Sequence, residues 1–315
     1  MLEAENEVPV PLLGRSEVAS YLGYLLRRIR GVAGEASARQ QAALGACCGG
    51  SDRSQLKELA VLVLLGQLGA CSQHEVAGRL GINRSVMVKV IDELEREGAV
   101  VRSRDPGDRR RYALEVTAAG WRRAAVLLAW AGAVETALLA PLDEAERARL
   151  LGLLSALDAA HRPPVPAPLS GSLMWHLISL HHELERFGDQ VLEVFGLSVR
   201  SFVVLAILED EPCSQARLGE WMSIGPAATV ELVDQLEAGG LLARARSVDD
   251  RRRYRLELTE EGRALHARAR PVVEAASDRF TAALGPTGRE ALLDLLARVA
   301  GGGLPGAAAD SRAEA

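Results

Sequence analysis

Several residue types and patterns that mark common protein classes are scarce or missing in this 315-residue sequence. Only 4% of the residues are aromatic, so a core must be built mainly from leucine, valine and alanine. The four cysteines are scattered along the chain instead of being spaced as a disulfide framework, which predicts a reducing compartment. No apolar run approaches the ~20 residues that a membrane-spanning helix needs, and the N-terminus lacks the basic start and apolar core of a signal peptide. We therefore expect a cytoplasmic protein with no membrane partner.

The sequence also lacks the usual arrangements of catalytic residues. We find no nucleophile–base set, no glycine-rich phosphate loop and no paired-carboxylate site. His181-His182-Glu183 suggests a metal site, but adjacent residues point about 100° apart on a helix, so they do not readily face one ion. The sequence predicts a protein that is not an enzyme and that uses no metal and no cofactor.

Positive charge is concentrated in two places, although the formal net charge of the chain is −5. Asp108–Tyr112 reads DRRRY, and the same letters return at Asp250–Tyr254, 142 residues later (250 − 108). The same shift places Cys71-Ser72-Gln73 on Cys213-Ser214-Gln215, and it holds without a gap from about residue 56 to residue 157. A repeat of this length predicts a duplicated domain, because solenoid repeats have periods of only ~20–50 residues.

A proline-rich segment separates the two copies. Prolines at positions 163, 164, 166 and 168 oppose a continuous helix and favour an extended spacer. The composition after residue 300 predicts a disordered tail. We predict an N-terminal tail at 1–14, a first domain at 15–160, a linker at 161–171, a second domain at 172–300 and a tail at 301–315.

Each copy follows the same predicted order of elements. In the first copy, apolar residues at helical spacing predict an opening helix over 15–31 and a buried helix over 56–68. A short helix follows, with Ser72 and Glu75 as a capping box and Gly81 at its end. A second helix starts at Asn83 or Ser85 and runs to about residue 97. Two strands around a turn at 105–108 precede a long helix from 118 to about 139 and a last helix over 144–159.

This order is that of a winged helix with added helices, and its wing resembles that of a known family. The pattern R-x-R-x3-D-R-R-x6-T-x2-G occurs at Arg102–Gly120 and again at Arg244–Gly262, and it is similar to the wing signature of the MarR family of bacterial transcription regulators. The resemblance implies a mainly α fold with small two-stranded wings (α+β), in tandem winged helix-turn-helix domains with an interlocked helical dimerisation layer. Because the family forms homodimers, two fused copies imply a single chain that acts as a pseudo-dimer.

The second helix of each helix-turn-helix is expected to lie in the major groove of double-stranded DNA, with its N-terminal residues nearest the bases. Asn83 and Arg84 suit bidentate base contacts, whereas the aligned residues of the second copy include no cation. Lys89 aligns with Glu231, which reverses the charge. We therefore expect an imperfect palindrome as the binding site, read more strongly by the first copy. The alternative is that the second copy docks mainly through its wing and the start of its helix-turn-helix.

The arginines of each wing tip are expected to bind phosphates or to enter the minor groove. By the family pattern, Arg110 and Arg252 enter the groove, and Asp108 and Asp250 orient them through charge-assisted hydrogen bonds. The predicted DNA-binding residues of the first copy are Ser72, Gln73, Asn83, Arg84, Ser85, Met87, Lys89, Arg104, Asp108, Arg109, Arg110 and Arg111. Those of the second copy are Ser214, Gln215, Arg217, Pro226, Ala227, Thr229, Arg246, Asp250, Arg251, Arg252 and Arg253.

The resemblance also implies a small aromatic or anionic effector, bound in a crevice between the dimerisation layer and the DNA-binding lobe. The candidate ligand-binding residues, which would equally suit a core, are Tyr24, Trp130, Trp175, His176 and Phe202. These expectations describe a ligand-responsive repressor. Two alternatives stay open: a small-molecule sensor with weak or lost DNA binding, and a thiol sensor that uses Cys71 and Cys213, which each precede a helix N-terminus.

Overall fold

The structure is a computed structural model that describes residues 21–44, 52–80, 82, 84–104, 112–165, 167–246 and 254–301. The first copy contains α1 (Leu22–Leu44), α2 (Asp52–Leu68), α3 (Gln73–Leu80), α4 (Arg84–Arg96), β1 (Val100–Arg104), β2 (Tyr112–Val116), α5 (Ala118–Leu138) and α6 (Glu144–His161). The second contains α7 (Leu173–Leu192), α8 (Val199–Asp210), α9 (Gln215–Met222), α10 (Pro226–Ala238), β3 (Leu242–Arg246), β4 (Tyr254–Leu258), α11 (Glu260–Phe280) and α12 (Gly285–Gly301). The predicted fold class, mainly helical with two small antiparallel wings, is confirmed.

Side-chain caps set the starts of several helices. The hydroxyl of Ser72 accepts a hydrogen bond from the Glu75 amide at 3.2 Å, and Ser214 accepts one from the Arg217 amide at the same distance. A full capping box, in which side chain and backbone exchange hydrogen bonds, begins α6 at Asp143. These caps satisfy amide groups that a helix start leaves without partners, so the polar residues before each apolar run fix where the helices begin.

The two wings repeat each other in register as well as in sequence. In the first, β1 pairs antiparallel with β2 from Val100↔Val116 to Arg104↔Tyr112. In the second, β3 pairs with β4 from Leu242↔Leu258 to Arg246↔Tyr254. An isolated bridge adds the residue before each helix-turn-helix to its wing, at Cys71↔Leu114 and Cys213↔Leu256. The offset of 142 residues therefore holds for backbone pairing.

The chain divides into two compact units whose boundaries cross the two opening helices. The first-copy unit comprises described residues of 33–180, so it contains the start of α7. The second-copy unit comprises 21–32 and the described residues of 181–301, so it contains the start of α1. Each unit thus includes part of the opening helix of the other copy. This division differs from the two predicted domains, each of which is continuous in sequence. The bounds of those domains follow the sequence repeat and remain a prediction.

The core of the first-copy unit is built around α2, as the all-apolar stretch predicts. Every side chain from Leu59 to Leu65 is at most 5% exposed. Trp130 of α5 is fully buried, and its indole Nε1 donates a hydrogen bond of 3.1 Å to the hydroxyl of Ser37. This hydrogen bond gives the buried indole N–H the partner that it needs in an apolar interior.

The core of the second-copy unit is built around α8. The side chains from Phe202 to Leu208 are at most 4% exposed, and they pack with Trp221, Met222 and Val233 of the helix-turn-helix. Tyr24, from the start of α1, belongs to the same buried cluster. The α1 residue is therefore an integral part of this core.

The predicted end of the opening helix at Gly31 is wrong, because α1 continues to Leu44. A Cβ at Gly31 would lie 2.5 Å from the Ser223 hydroxyl oxygen. The glycine therefore permits close packing in the second-copy unit and does not terminate a helix. The predicted start before residue 21 lies outside the described residues.

Within the described residues, no single helix is both long and apolar enough to cross a membrane. The segments Leu173–Phe195 and Val199–Asp210 reach that length and composition only when they are counted together, and the chain bends by 75° between them.

Candidate nucleic-acid interface

In the first copy, α4 presents one face to solvent and buries the other. Arg84, Ser85 and Lys89 are exposed, and Val88 between them is 38% exposed. The buried face consists of Met87, Val90, Ile91 and Leu94. Residues three and four apart share a face of a helix, so the polar residues of the N-terminal half form one outward surface.

Met87 was included in the predicted DNA-binding set, and the structure corrects this prediction. Its side chain is 0% exposed, because position 87 shares the inward face with Ile91 and Leu94. It lies beneath a concave surface that Ser72, Gln73 and Arg84 also line. The hydrophobic pattern of α4, in which Met87 precedes Val90 and Ile91, would have assigned it to the core.

The second helix-turn-helix has the same geometry with different chemistry. Gly225 occupies the N-cap position of α10 and Pro226 the first turn, where the absence of an N–H costs nothing. The exposed face carries Pro226, Ala227, Val230 and Glu231. It therefore carries no positive charge, in contrast to Arg84 and Lys89 on α4.

Thr229 is the second member of the predicted set that the structure corrects. The residue is 1% exposed, and its hydroxyl donates to the Gly225 carbonyl at 3.0 Å. Its Oγ1 also lies close to Gly219 of α9, where any Cβ would be 2.7 Å away. The Thr229 side chain thus bonds within the first turn of α10 and packs against Gly219 of α9, so it does not face solvent.

In each copy, one arginine on the first wing strand pairs with two carboxylates on the second helix of the helix-turn-helix. Neither arginine belongs to the predicted DNA-binding set. The guanidinium of Arg102 on β1 lies 2.5 Å from Asp92 and 2.9 Å from Glu95, both on α4. Arg244 on β3 lies 2.5 Å from Asp234 and also pairs with Glu237. These hydrogen bonds raise the pKa of Arg244, chiefly through Asp234. We call this arginine and its two carboxylates the arginine clamp. Its three positions recur at the 142-residue offset, so the sequence repeat alone identifies it.

The described parts of the wings add exposed groups beside these clamps. Arg104 is exposed at the end of β1, and its cross-strand partner Tyr112 is 60% exposed. Tyr254, at the matching position of the second wing, is 53% exposed. The predicted residues Asn83, Asp108, Arg109, Arg110, Arg111, Asp250, Arg251, Arg252 and Arg253 lie outside the described residues, and Arg246 is described as part of β3.

The predicted residues at the start of the second helix-turn-helix already have partners. The guanidinium of Arg217 stacks over the Trp221 ring at 4.5 Å and lies 3.4 Å from the Glu211 carboxylate. Gln215 accepts a long hydrogen bond of 3.4 Å from Arg244. The Ser214 hydroxyl caps α9. Contact with a phosphate would therefore compete with these partners.

The environment of the two described cysteines opposes the thiol-sensing alternative. Cys71 is 8% exposed and Cys213 is 3% exposed. Burial raises the pKa of both thiols, that of Cys213 to about 12. Since the thiolate is the reactive form, burial outweighs the effect of the nearby helix N-terminus. Cys47 and Cys48 lie outside the described residues.

The candidate ligand-binding residues fall into two groups. In the second-copy unit, Tyr24 and Phe202 line one pocket. In the first-copy unit, Trp130, Trp175 and His176 are all buried. The ring nitrogens of His176 are both engaged, at 3.0 Å from Asp158 and 3.0 Å from the Ser170 carbonyl oxygen. These contacts give His176 a structural role.

The segment His181-His182-Glu183 lies beside an ion-pair cluster centred on Glu185. His181 is 1% exposed and lies 3.4 Å from the Glu185 carboxylate. The ring of His182 is centred 6.0 Å from that of His181 and tilted by 43°. Glu185 also receives a 2.8 Å hydrogen bond from Arg27 of α1. Within the described residues, no group of three or more His, Cys, Asp or Glu side chains is placed to hold a metal ion.

Comparison with known proteins identifies the family to which the two helix-turn-helix copies are similar. The sequence profile of the MarR family matches residues 55–112, and a second MarR family profile matches residues 195–253. The chain is 40% identical over 101 residues to the HTH-type transcriptional repressor Rv2887 of Mycobacterium tuberculosis, a match that covers 31% of this chain and 73% of the relative. It is 38% identical over 86 residues to a Thauera aromatica protein described as a transcriptional regulator for the hcr operon.

The coverage of these matches is partial. The match to the Thauera aromatica protein covers 27% of this chain and only 52% of that relative. Among solved structures, the transcriptional repressor CouR bound to a 23-mer DNA duplex aligns with a TM-score of 0.41 and 33% identity. That alignment covers 44% of this chain and 99% of CouR.

Proposed function

Because this chain belongs to the MarR family and carries two copies of its winged helix-turn-helix, we propose that it is a transcription regulator that binds double-stranded DNA as a single-chain pseudo-dimer. The observation that carries the proposal is the duplicated motif itself. In each copy a second helix with one solvent-facing side is clamped by an arginine to an antiparallel wing. That combination presents a helix for a major groove beside a hairpin for the neighbouring phosphates or minor groove.

In the first copy, the exposed side chains suit sequence reading. Arg84 and Ser85 stand at the N-terminal end of α4, where a recognition helix approaches base edges. An arginine can donate two hydrogen bonds to guanine, and a serine can contact several bases. Lys89, one turn further along, is suited to a phosphate because its charge is compact and mobile. The first copy therefore supplies most of the base-specific contacts.

The wings add further to the salt-dependent part of binding. Arg104 is exposed at the end of β1. In the sequence, three further arginines come after β1 at 109–111, and three come after β3 at 251–253. Lys and Arg that neutralise phosphates release bound counterions, which makes DNA affinity fall as salt rises. The arginine clamp has a separate role, since it neutralises Asp92 and Glu95 next to the DNA backbone.

The pseudo-dimer proposal rests on the two copies of the motif that the family profiles match in one polypeptide. In a family dimer each chain contributes one reading head, and here both heads are in one polypeptide. We expect the two heads to engage half-sites about one turn of DNA, ~34 Å, apart.

We propose repression by occlusion of a promoter, relieved by a small-molecule effector. The pocket lined by Tyr24 and Phe202 supports an effector site. No catalytic role is proposed, because the relatives of this chain are transcription regulators. A regulator of this kind would act in the cytoplasm.

A second candidate is a small-molecule sensor that has lost DNA binding. It is favoured by α10, whose exposed face combines Pro226, Ala227, Val230 and Glu231 without a cation. Such a face gives little attraction to phosphate. This candidate predicts that the chain binds a ligand yet shows no salt-dependent affinity for any duplex.

The two candidates are distinguished by DNA-binding titrations at several salt concentrations. Fluorescence anisotropy with duplexes that tile the DNA flanking the protein's own gene would locate a site, with a shuffled duplex as reference. We expect nanomolar binding that weakens steeply with salt, and a slope reduced by about one for Lys89→Ala, Arg110→Ala and Arg252→Ala. Arg149→Ala, which removes an exposed charge from α6, is the matched control and should keep the full slope. Equal weak binding to every duplex would contradict the proposal.

A further inference from the structure

The second helix of each helix-turn-helix exposes a valine that does not belong to the predicted DNA-binding set. Val88 of α4 is 38% exposed, and Val230 of α10 is 42% exposed. The two positions differ by 142 residues (230 − 88), which is the offset of the repeat. Each copy therefore presents a branched apolar side chain at the same place on the helix that is proposed to enter the major groove.

Recurrence at the matching position distinguishes these valines from the exposed apolar side chains of α5. Trp121 and Leu128 of that helix are 50% and 38% exposed, and the residues that match them in α11 are Arg263 and Arg270. An exposed apolar residue that occurs singly needs no explanation. The valines occur in both copies although the side chains around them differ, which points to a shared role.

Helical geometry places Val88 at the centre of the exposed face of α4. At ~100° per residue, Val88 and Ser85 lie between Arg84 on one margin of this face and Lys89 on the other. Val88 also lines the same concave surface as Gln73 and Arg84. When such a helix lies in a major groove, its central side chains point to the base edges and its marginal ones to the phosphates.

In the second copy, the centre of the corresponding face carries only apolar groups. Val230 and Ala227 lie at the centre of the exposed face of α10, with Pro226 on one margin and Glu231 on the other. The side chains of Val230, Ala227 and Pro226 can neither donate nor accept a hydrogen bond. Any reading of bases by the centre of α10 must therefore rely on apolar contacts.

The arginine clamp neutralises a carboxylate in the next turn of each helix. Asp92 comes four residues after Val88, on the same face, and lies 2.5 Å from the guanidinium of Arg102. The matching Asp234 lies 2.5 Å from the guanidinium of Arg244. A carboxylate paired in this way repels the phosphate backbone less than an unpaired one, so the clamp favours close approach of the valine to the bases.

Thymine is the base that presents a methyl group in the major groove. The methyl is attached to C5, and the other groups on the base edges are hydrogen-bond donors and acceptors. A valine placed against a donor or acceptor would displace water without replacing its hydrogen bond, which is unfavourable. Against a thymine methyl, the same side chain removes apolar surface from water on both partners. A valine at this position therefore selects thymine.

We propose that Val88 and Val230 each contact the C5-methyl group of a thymine in the major groove, so that the two half-sites share a thymine at matching positions although they differ elsewhere. This inference rests on the proposed function and names a base that the regulator reads. It also gives α10 a means of reading DNA that needs no positive charge.

Replacement of thymine by deoxyuridine tests the contact, because it removes the methyl group and leaves the base pairing unchanged. On the native site located by the anisotropy titrations, duplexes in which one thymine at a time is replaced are compared with the unmodified duplex. We expect the full-length chain to lose affinity about threefold to fivefold at one thymine of each half-site, as removal of one methyl group from an apolar contact predicts. Full affinity for every substituted duplex would overturn the inference.

Valine-to-alanine variants assign each contact to its residue. In Val88→Ala one of the two sensitive thymines should become insensitive to deoxyuridine, and in Val230→Ala the other should. Both variants should fold, because alanine is the better helix former and both positions are exposed. Val126→Ala and Val272→Ala are the matched controls, since these valines are 43% and 36% exposed on α5 and α11, and they should keep both losses. A deoxyuridine effect that persists at both thymines in either reading-helix variant would refute the assignment of that valine.

Failure of this inference is separable from failure of the proposed function. Salt-dependent binding to a specific duplex, with no loss at any deoxyuridine, would reject the thymine contacts and leave the proposed function standing. Absence of salt-dependent binding to every duplex would reject the proposed function and the thymine contacts with it.

Discussion

At the scale of single residues, the threonine and glycine of the wing signature are explained by one tight junction. Thr117 caps α5 by accepting a hydrogen bond from the Gly120 amide at 3.0 Å, and its hydroxyl donates to the Gly98 carbonyl at 2.7 Å. Thr259 makes the same two contacts with Gly262 and Gly240 at the same distances. A side chain at Gly120 would collide with the Ala99 carbonyl oxygen, and one at Gly262 with the Leu241 carbonyl oxygen.

This junction predicts that Gly120→Ala and Gly262→Ala each destabilise the protein. Because the colliding atoms belong to the backbone, they cannot swing aside, and overpacking of this kind costs ~1–3 kcal/mol. Urea denaturation followed by circular dichroism measures the change. Gly132→Ala is the control, since it lies in the same helix with open space around it, and it should stabilise by about 0.5–1 kcal/mol. If Gly120→Ala left the stability unchanged or raised it as Gly132→Ala does, the junction would not be tight.

The exposure of individual side chains is only partly predictable from the sequence. Exposure of Arg84, Ser85 and Lys89 follows from the helical period of α4, and the structure agrees. Burial of Met87 follows from the same period, whereas the motif alone assigns position 87 to DNA contact. Thr229 could not be placed from its type, because a threonine suits both an exposed surface and a hydrogen bond to the preceding turn.

At the scale of elements, α1 and α7 are joined by a buried ion-pair cluster in the second-copy unit. Glu185 of α7 is contacted by Arg27 of α1 at 2.8 Å, by His181 at 3.4 Å and by Arg200 of α8 at 3.8 Å. Burial raises the pKa of the Glu185 carboxyl, but His181 and both arginines lower it further, so it stays ionised. Burial lowers the pKa of His181 to about 4, although Glu185 partly opposes this.

His181 therefore makes the stability of this unit depend on pH. Above pH ~6.5 the imidazole is neutral in both folded and unfolded chains and adds no pH dependence. As the pH falls from ~6.5 towards 4, the unfolded chain takes up a proton that the folded chain does not, so the free energy of unfolding decreases. A shift of this size corresponds to a loss of about 3 kcal/mol.

The prediction is tested by melting temperatures of the wild type and of His181→Gln across pH 4–7. The difference between the two proteins should change over this range, with the wild type losing stability relative to the variant as the pH falls. His74→Gln, at an exposed position of α3, should melt in parallel with the wild type. Parallel curves for His181→Gln as well would mean that the buried histidine does not titrate as its surroundings dictate.

The element order was predictable from periodicity and caps, whereas the exchange of helices was not. A sequence period shows which face of α1 is apolar but does not say which copy covers it. The burial of Tyr24 beside Phe202 and the ion pair between Arg27 and Glu185 join residues more than 150 positions apart. Local propensities carry no information about such contacts, and the close approach of Gly31 to Ser223 is likewise set by a neighbour in space.

At the scale of the whole molecule, the proposed function joins two helix-turn-helix motifs of different sequence in one chain. In a homodimer a change in one recognition helix appears in both halves, so the preferred site is a palindrome. Here α4 carries exposed Arg84 and Lys89, and α10 carries exposed Glu231 at the position that matches Lys89. For the proposed regulator, these opposite charges predict that the two half-sites contribute unequal free energies of binding.

This inequality predicts the outcome of exchanging the two charges. Lys89→Glu should weaken DNA binding about tenfold or more, because a phosphate contact is replaced by repulsion. Glu231→Lys should strengthen binding several-fold, raise the salt slope by about one and narrow the preference between the two half-sites. The measurement is anisotropy on the native site and on the two symmetrised sites made from its halves. Arg149→Glu and Glu290→Lys, on exposed faces of α6 and α12, make the same charge changes and should have little effect. If the native chain binds both symmetrised sites equally, the two heads read DNA alike and the charge reversal has no consequence for recognition.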